Sequence, residues 1–161
     1  MTEIRPDHTE PLGIESTAQV KGHPIHPMLV PFPIASLVGL LLADVTYWIT
    51  RSPFWAEAGM WLLGIAIVTG LAAAVAGLTD FLTHQRIMAL SHAWQHMIGN
   101  IAVMLIAIVN FGVRLGMPDP VLPWGLILSL VAVTVLGYTG WLGGELVYRH
   151  GIGMFGRRPR P

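Results

Sequence analysis

Seven histidines and no cysteine define the chemistry open to this chain. Without a thiolate there is no disulfide, no cysteine nucleophile and no iron–sulfur cluster made by this chain alone, so any metal must be held by His, carboxylate, Met or backbone. Six of the histidines, His23, His26, His84, His92, His96 and His150, fall in short stretches, and Asp80 and Glu145 adjoin two of these. His92, His96 and Asn100 follow one another at i, i+4, which stacks them on one helical face, and Asp80 and His84 share the same spacing. Two chemistries suit these residue types. His26 and His96, from different helices, could be the two axial ligands of a haem, with His23, Asp80, Asn100, Glu145 and His150 around them. Alternatively His92 and His96 could hold one bare Zn, Fe or Mn ion from a single helical face, completed by His26, Asp80 or Glu145. The methionines show no paired spacing and read as packing residues.

The elements that must position these residues are membrane helices. The chain has 161 residues, of which 53% are hydrophobic and 11% charged. A soluble domain carries about 25% charged residues, so this inventory cannot build a polar surface. Four apolar segments are long enough, or nearly so, to span a bilayer: residues 28–50, 58–79, 97–113 and 121–144. The last three contain no Asp, Glu, Lys or Arg, and the first contains only Asp44. Helix-stopping residues separate them, namely Arg51-Ser52-Pro53, the stretch from Asp80 to His92, and Pro118-Asp119-Pro120. The expected fold is therefore an all-α, antiparallel bundle of four transmembrane helices spanning residues 22–154, between a polar tail (1–21) and a basic tail (155–161). No internal repeat stands out.

Nine basic and nine acidic side chains give a net charge of +0, which excludes the basic footprint of a nucleic-acid binder. The acidic start of the chain, with Glu3, Asp7, Glu10 and Glu15, is unlike a signal peptide. Arg5, Lys21, Arg86, Arg149, Arg157, Arg158 and Arg160 fall on one side of the four spans, and only Arg51 and Arg114 on the other. The positive-inside rule then leads to the expectation that both termini are cytoplasmic. Trp48, Trp55, Trp61 and Trp124 mark the far interface, Trp94 and Trp141 the near one.

The prolines from Pro24 to Pro33 suggest that His23 and His26 enter the bundle on a stiff, non-helical strap, with regular helix secure only near Pro33. Its unpaired carbonyls would then accept hydrogen bonds from Asn100. The glycines Gly137, Gly140, Gly143 and Gly144 suit close helix packing, or a flat cofactor or the strap pressed against them. Asp44 falls about 26 Å along its span by helical rise, within reach of Arg51, Tyr47 or interfacial water. Asn110 and Arg114 are alternative partners, in which case Asp44 could admit protons to the polar cluster.

Four stretches carry a family resemblance: Gly-His-Pro-Ile-His-Pro-Met-Leu-Val-Pro-Phe-Pro (22–33), Gly77-Leu78-Thr79-Asp80, His96-x-x-x-Asn100, and Gly140-Trp141-Leu142-Gly143-Gly144-Glu145-Leu146-Val147-Tyr148-Arg149-His150-Gly151. From about Gly22 to Met154 the chain resembles the bacterial membrane protein family known as domain of unknown function 2231. The resemblance implies a four-helix inner-membrane protein with His23, His26, Asp80, His96, Asn100, Glu145 and His150 as site residues. Some relatives carry an appended Rieske domain, absent here, which implies an electron-transfer setting. His84 and His92 lie outside the family pattern.

Three functions follow as expectations. The first is a haem b-binding electron-transfer protein or subunit with a redox partner. The second is a non-haem metal protein. The third is an accessory subunit without cofactor, alone as a homo-oligomer or within a larger membrane complex, whose polar residues lock the inner helix ends. His26, Asp80, His96, Asn100 and Glu145 are expected to converge within one polar pocket at the cytoplasmic ends of the helices.

Overall fold

A computed structural model describes residues 12–117 and 119–154. It is almost wholly helical. A two-stranded hairpin, β1 (Gln19–Val20) and β2 (His23–Pro24), leads into α1 (Ile25–Leu29) and α2 (Pro31–Thr50). Then come α3 (Pro53–Thr83), the short α4 (Gln85–Met88), α5 (Ser91–Gly116) and α6 (Trp124–Tyr148). Four helical runs are long and apolar enough to cross a membrane: Ile25–Thr50, Pro53–Thr83, Ser91–Gly116 and Trp124–Tyr148. Each reaches beyond the uncharged segment that marks it in the sequence, because helix continues through the polar ends where His92, His96, Asp80 and Glu145 lie. Trp48, Trp61, Trp94, Trp124 and Trp141 are all exposed on the outer surface of the bundle.

The expected non-helical strap is a correction. Helix begins at Ile25, so His26 sits in a first turn. The prolines permit this because of where they fall. Pro27 lies in the first turn of α1, and Pro31 and Pro33 in the first turn of α2, where an N–H has no helical partner to lose. Val30 keeps helical dihedrals and donates its N–H to the His26 carbonyl, which joins the two pieces into one span. Gly22 has a separate task. Lys21 and Gly22 both take positive φ (50° and 81°), as the two-residue turn between β1 and β2 requires.

The tightest pairings are α2 with α3 and α5 with α6, two hairpins joined by α4. Contacts between hairpins run α2 to α6 and α3 to α5. That reciprocal pattern is the mark of two-fold symmetry, and the buried residues obey it. In the first helix of each hairpin, Pro33, Leu37, Leu40 and Asp44 correspond to Val103, Ala107, Asn110 and Arg114, each 70 residues later. In the second, Gly59, Leu63, Ala66, Ala73 and Ala76 correspond to Gly125, Ser129, Ala132, Thr139 and Leu142, each 66 residues later. All are buried. The chain is thus an internal duplication, two hairpins entering from the same end and related by a pseudo-two-fold axis along the bundle, a repeat that does not stand out in the sequence.

The described ends of the chain meet at the end where the hairpins begin. Leu12 N–H donates to the His150 carbonyl and Gly153 N–H to the Ile14 carbonyl. Ile14, Phe81, Ile87, Ala93 and Leu146 form a small apolar cluster beneath them. At the far end the Asp119 carboxylate accepts from the amides of Val121 and Leu122 and from the Tyr47 hydroxyl, and lies 3.6 Å from Arg51. Desolvation pushes this carboxyl upward. The two amides, Arg51 and Tyr47 outweigh it and hold Asp119 below the usual aspartate range.

Candidate functional site

A residue that touches its own symmetry equivalent must lie on the axis. His26 and His96 do so, with ring centroids 6.3 Å apart and planes at 86°. Each imidazole is held by one device used twice. His26 Nδ1 bonds the Ala73 carbonyl at 2.8 Å while the ring lies on Gly77, one turn further along α3. His96 Nδ1 bonds the Thr139 carbonyl at 2.8 Å while the ring lies on Gly143, one turn further along α6. A carbonyl only accepts, so in both rings the proton resides on Nδ1 and Nε2 keeps its lone pair. Such carbonyl anchors are what orient a ligating imidazole and raise its basicity.

The glycines make the rings fit. A Cβ on Gly77 would stand 2.8 Å from His26 Nδ1, and one on Gly143 would stand 2.9 Å from His96 Cε1. Gly137 and Gly140 face open space, so the part of the α6 glycine run that packs on an imidazole is Gly143. Gly77→Ala and Gly143→Ala should each push a ring off its carbonyl and destabilise the protein by about 1–3 kcal/mol, the usual range for overpacking. Gly140→Ala should be neutral or stabilise by up to about 1 kcal/mol through helix propensity. Thermal unfolding of the three variants in detergent checks the contrast.

Asn100 stands beside His96, with Nδ2 at 2.7 Å from the His96 carbonyl and 3.3 Å from His96 Nε2. Its expected bond to a carbonyl near Pro31 and Pro33 is not made, because those residues are helical. Asp80 serves the tail instead of the imidazoles. It accepts from the Ser16 hydroxyl and from the Thr17 and Ala18 amides at 2.7–2.9 Å, tying residues 16–18 to the end of α3. Glu145 faces Arg149. Their 3.0 Å approach has an angle that makes no hydrogen bond, and the arginine is largely exposed, so the pair is loose and worth little.

His92 lies apart from His96 in its contacts, facing His150 with ring centroids 6.2 Å apart. His84 bonds the Asp80 carbonyl and the Thr83 hydroxyl, and His23 bonds the Lys21 carbonyl. His84 and His150 are themselves equivalents, each seven residues beyond Gly77 or Gly143. The structure therefore brings together His26, His96 and Asn100, and distributes Asp80, Glu145, His23, His84, His92 and His150 around the rim of that end.

A second polar cluster occupies the axis at the far end. Asp44 and Arg114 are both fully buried, and Arg114 Nη2 donates to Asp44 Oδ2 at 2.6 Å. Ser129 also donates to Asp44 Oδ2, while Asn110 accepts from Arg114 Nε and donates to Ser129. Gly59 and Gly125, again symmetry equivalents, leave room for the guanidinium. Asp44 is not reached by Arg51 or Tyr47, which turn to Asp119. The signal for this cluster lay in spacing: His26 to Asp44 and His96 to Arg114 are both eighteen residues, five full turns on one helical face.

These features define an integral membrane protein of four helices, built as a duplicated hairpin with a paired-histidine site on its axis. Residues 22–156 match the family model described as "Predicted membrane protein (DUF2231)", and the chain belongs to that family. No curated protein and no solved structure matches it.

Proposed function

We propose that this protein binds haem b between His26 and His96 and transfers electrons in the bacterial inner membrane. One observation carries the reading: two imidazoles from different hairpins, each with Nδ1 bonded to a carbonyl, stand 6.3 Å apart with their planes at 86°, and His96 Nε2 has only Asn100 Nδ2 beside it, at 3.3 Å. Two imidazoles sharing one metal at bond lengths of about 2.0–2.1 Å have ring centroids about 6 Å apart. The donor set is also a haem's. Among the described residues no three His, Asp or Glu side chains gather around one point, and Asp80 is engaged by Ser16, Thr17 and Ala18. A bare Zn, Fe or Mn ion asks the protein for more than two ligands, whereas haem brings four nitrogens of its own. Held by the His26 and His96 imidazoles, it would supply one-electron chemistry. A redox partner, or a larger complex containing one, follows from that chemistry.

The same reading gives the orientation. Lys21, Arg86 and Arg149 lie at the histidine end, and Arg114, counted on the opposite side from sequence, is buried in an ion pair. The excess of exposed positive charge at that end supports a cytoplasmic histidine end. Optical spectra of the purified protein, oxidised and dithionite-reduced, test the function. A sharp reduced α band with one haem per chain is the expected result; protein purified from haem-replete cells without haem overturns it.

A further inference from the structure

We propose that the buried Asp44–Arg114 pair is the recognition element that docks the two hairpins on each other, and that Asp44 and Arg114 thereby act as positioning residues for His26 and His96 five turns away. Three observations support it. Within the membrane-spanning helices, among the described residues, the hydrogen bonds that cross from the first hairpin to the second all end on Asp44 Oδ2, donated by Arg114 and Ser129. Apart from the His26–His96 ring contact, the buried core between the hairpins is apolar, with Leu37, Leu40, Leu63, Ala66, Val103 and Ala107 meeting in it. Apolar packing between helices in lipid is weakly directional, so it sets a distance and leaves register and rotation loose. The Arg114 Nη2 to Asp44 Oδ2 bond is directional and bears on both.

The duplication explains why the pair is unlike. Two identical hairpins would place the same residue at both positions on the axis, either two carboxylates or two guanidiniums, and like charges at that distance repel. Here the equivalents carry opposite charge. The hairpins can therefore pair with each other and are disfavoured from pairing each with its own kind, the use to which a buried polar contact is best put. Because each histidine lies on the same helical face as its charged residue, a rotation of α2 or α5 that breaks the ion pair swings His26 or His96 off the axis. This proposal concerns hairpin pairing and holds whatever ligand the histidines take.

The chain has no native cysteine, which makes a direct test clean. Phe32 and Ile98 are exposed on α2 and α5 near the histidines, and the pair Phe32→Cys, Ile98→Cys can be spin-labelled in the full-length protein. The expected result is a single narrow distance distribution, with a second, longer population on Asp44→Ala or Arg114→Ala. The exchange Asp44→Arg with Arg114→Asp should return the narrow distribution, while Asp44→Leu with Arg114→Leu should stay helical yet keep the longer population. The two double variants decide the matter even if a single variant fails to fold. A narrow, native distribution in the Leu–Leu protein, or a broad one in the exchanged protein, would falsify the proposal.

Discussion

His96→Ala protein should emerge from the membrane without haem. On the proposed haem reading the substitution removes one of the two imidazoles that would hold the group, and the neighbours are poor substitutes: Asn100 is a weak ligand held by its Nδ2 on the His96 carbonyl, and His92 faces His150. The Thr139 carbonyl loses a side-chain donor but remains in its helix, so the loss falls on the ligand and not on the fold. His26→Ala should behave the same way, since the two rings are equivalent about the axis. Asn100→Ala is the contrast. That side chain stands 3.3 Å from His96 Nε2, so its removal should shift the reduction potential and the α band while leaving haem bound. Haem-to-protein ratio and redox titration measure both effects. Equal haem content in wild type and His96→Ala would remove the histidine from the site.

The second large effect belongs to the far cluster. Asp44→Ala leaves the Arg114 guanidinium buried without its carboxylate, in a setting of Asn110, Ser129 and two glycines. Removing one member of a buried ion pair destabilises a protein by about 3–5 kcal/mol. Replacing both members with leucine should cost far less, because no charge is then stranded, although Ser129 and Asn110 lose partners. Unfolding in mixed detergent of wild type, Asp44→Ala and the double variant reports the order. If Asp44→Ala is as stable as wild type, the ion pair contributes nothing and the cluster is ordinary packing.

The helices were legible because a bilayer leaves one solution for an uncharged run of twenty residues. The histidines at span boundaries could be read for the same reason, since a ring there either faces lipid at a penalty or turns inward. What sequence concealed was the relation between the halves. Asp44 and Arg114 look unrelated as letters, and so do Leu63 and Ser129. The offset also changes from 70 to 66 between the first and second helices of the hairpins, because the first hairpin carries four more residues around its far-end turn. The surviving signals are a spacing of eighteen from His26 to Asp44 and from His96 to Arg114, and a matching spacing from Gly59 to Gly77 and from Gly125 to Gly143. The contacts of Asp80 were hidden for another reason. A carboxylate at a helix end beside a histidine reads as a ligand, and nothing in residues 16–18 announces that their backbone will claim it.

Asp44 and Arg114 are separated by seventy residues of chain, which gives the ion pair a history during synthesis. Domains and hairpins emerge amino-terminal first, so α2 and α3 enter the bilayer before α5 exists. Through that interval Asp44 sits near the far end of an apolar hairpin without its counterion. The first hairpin therefore completes its polar pairing only once α5 has followed it into the bilayer.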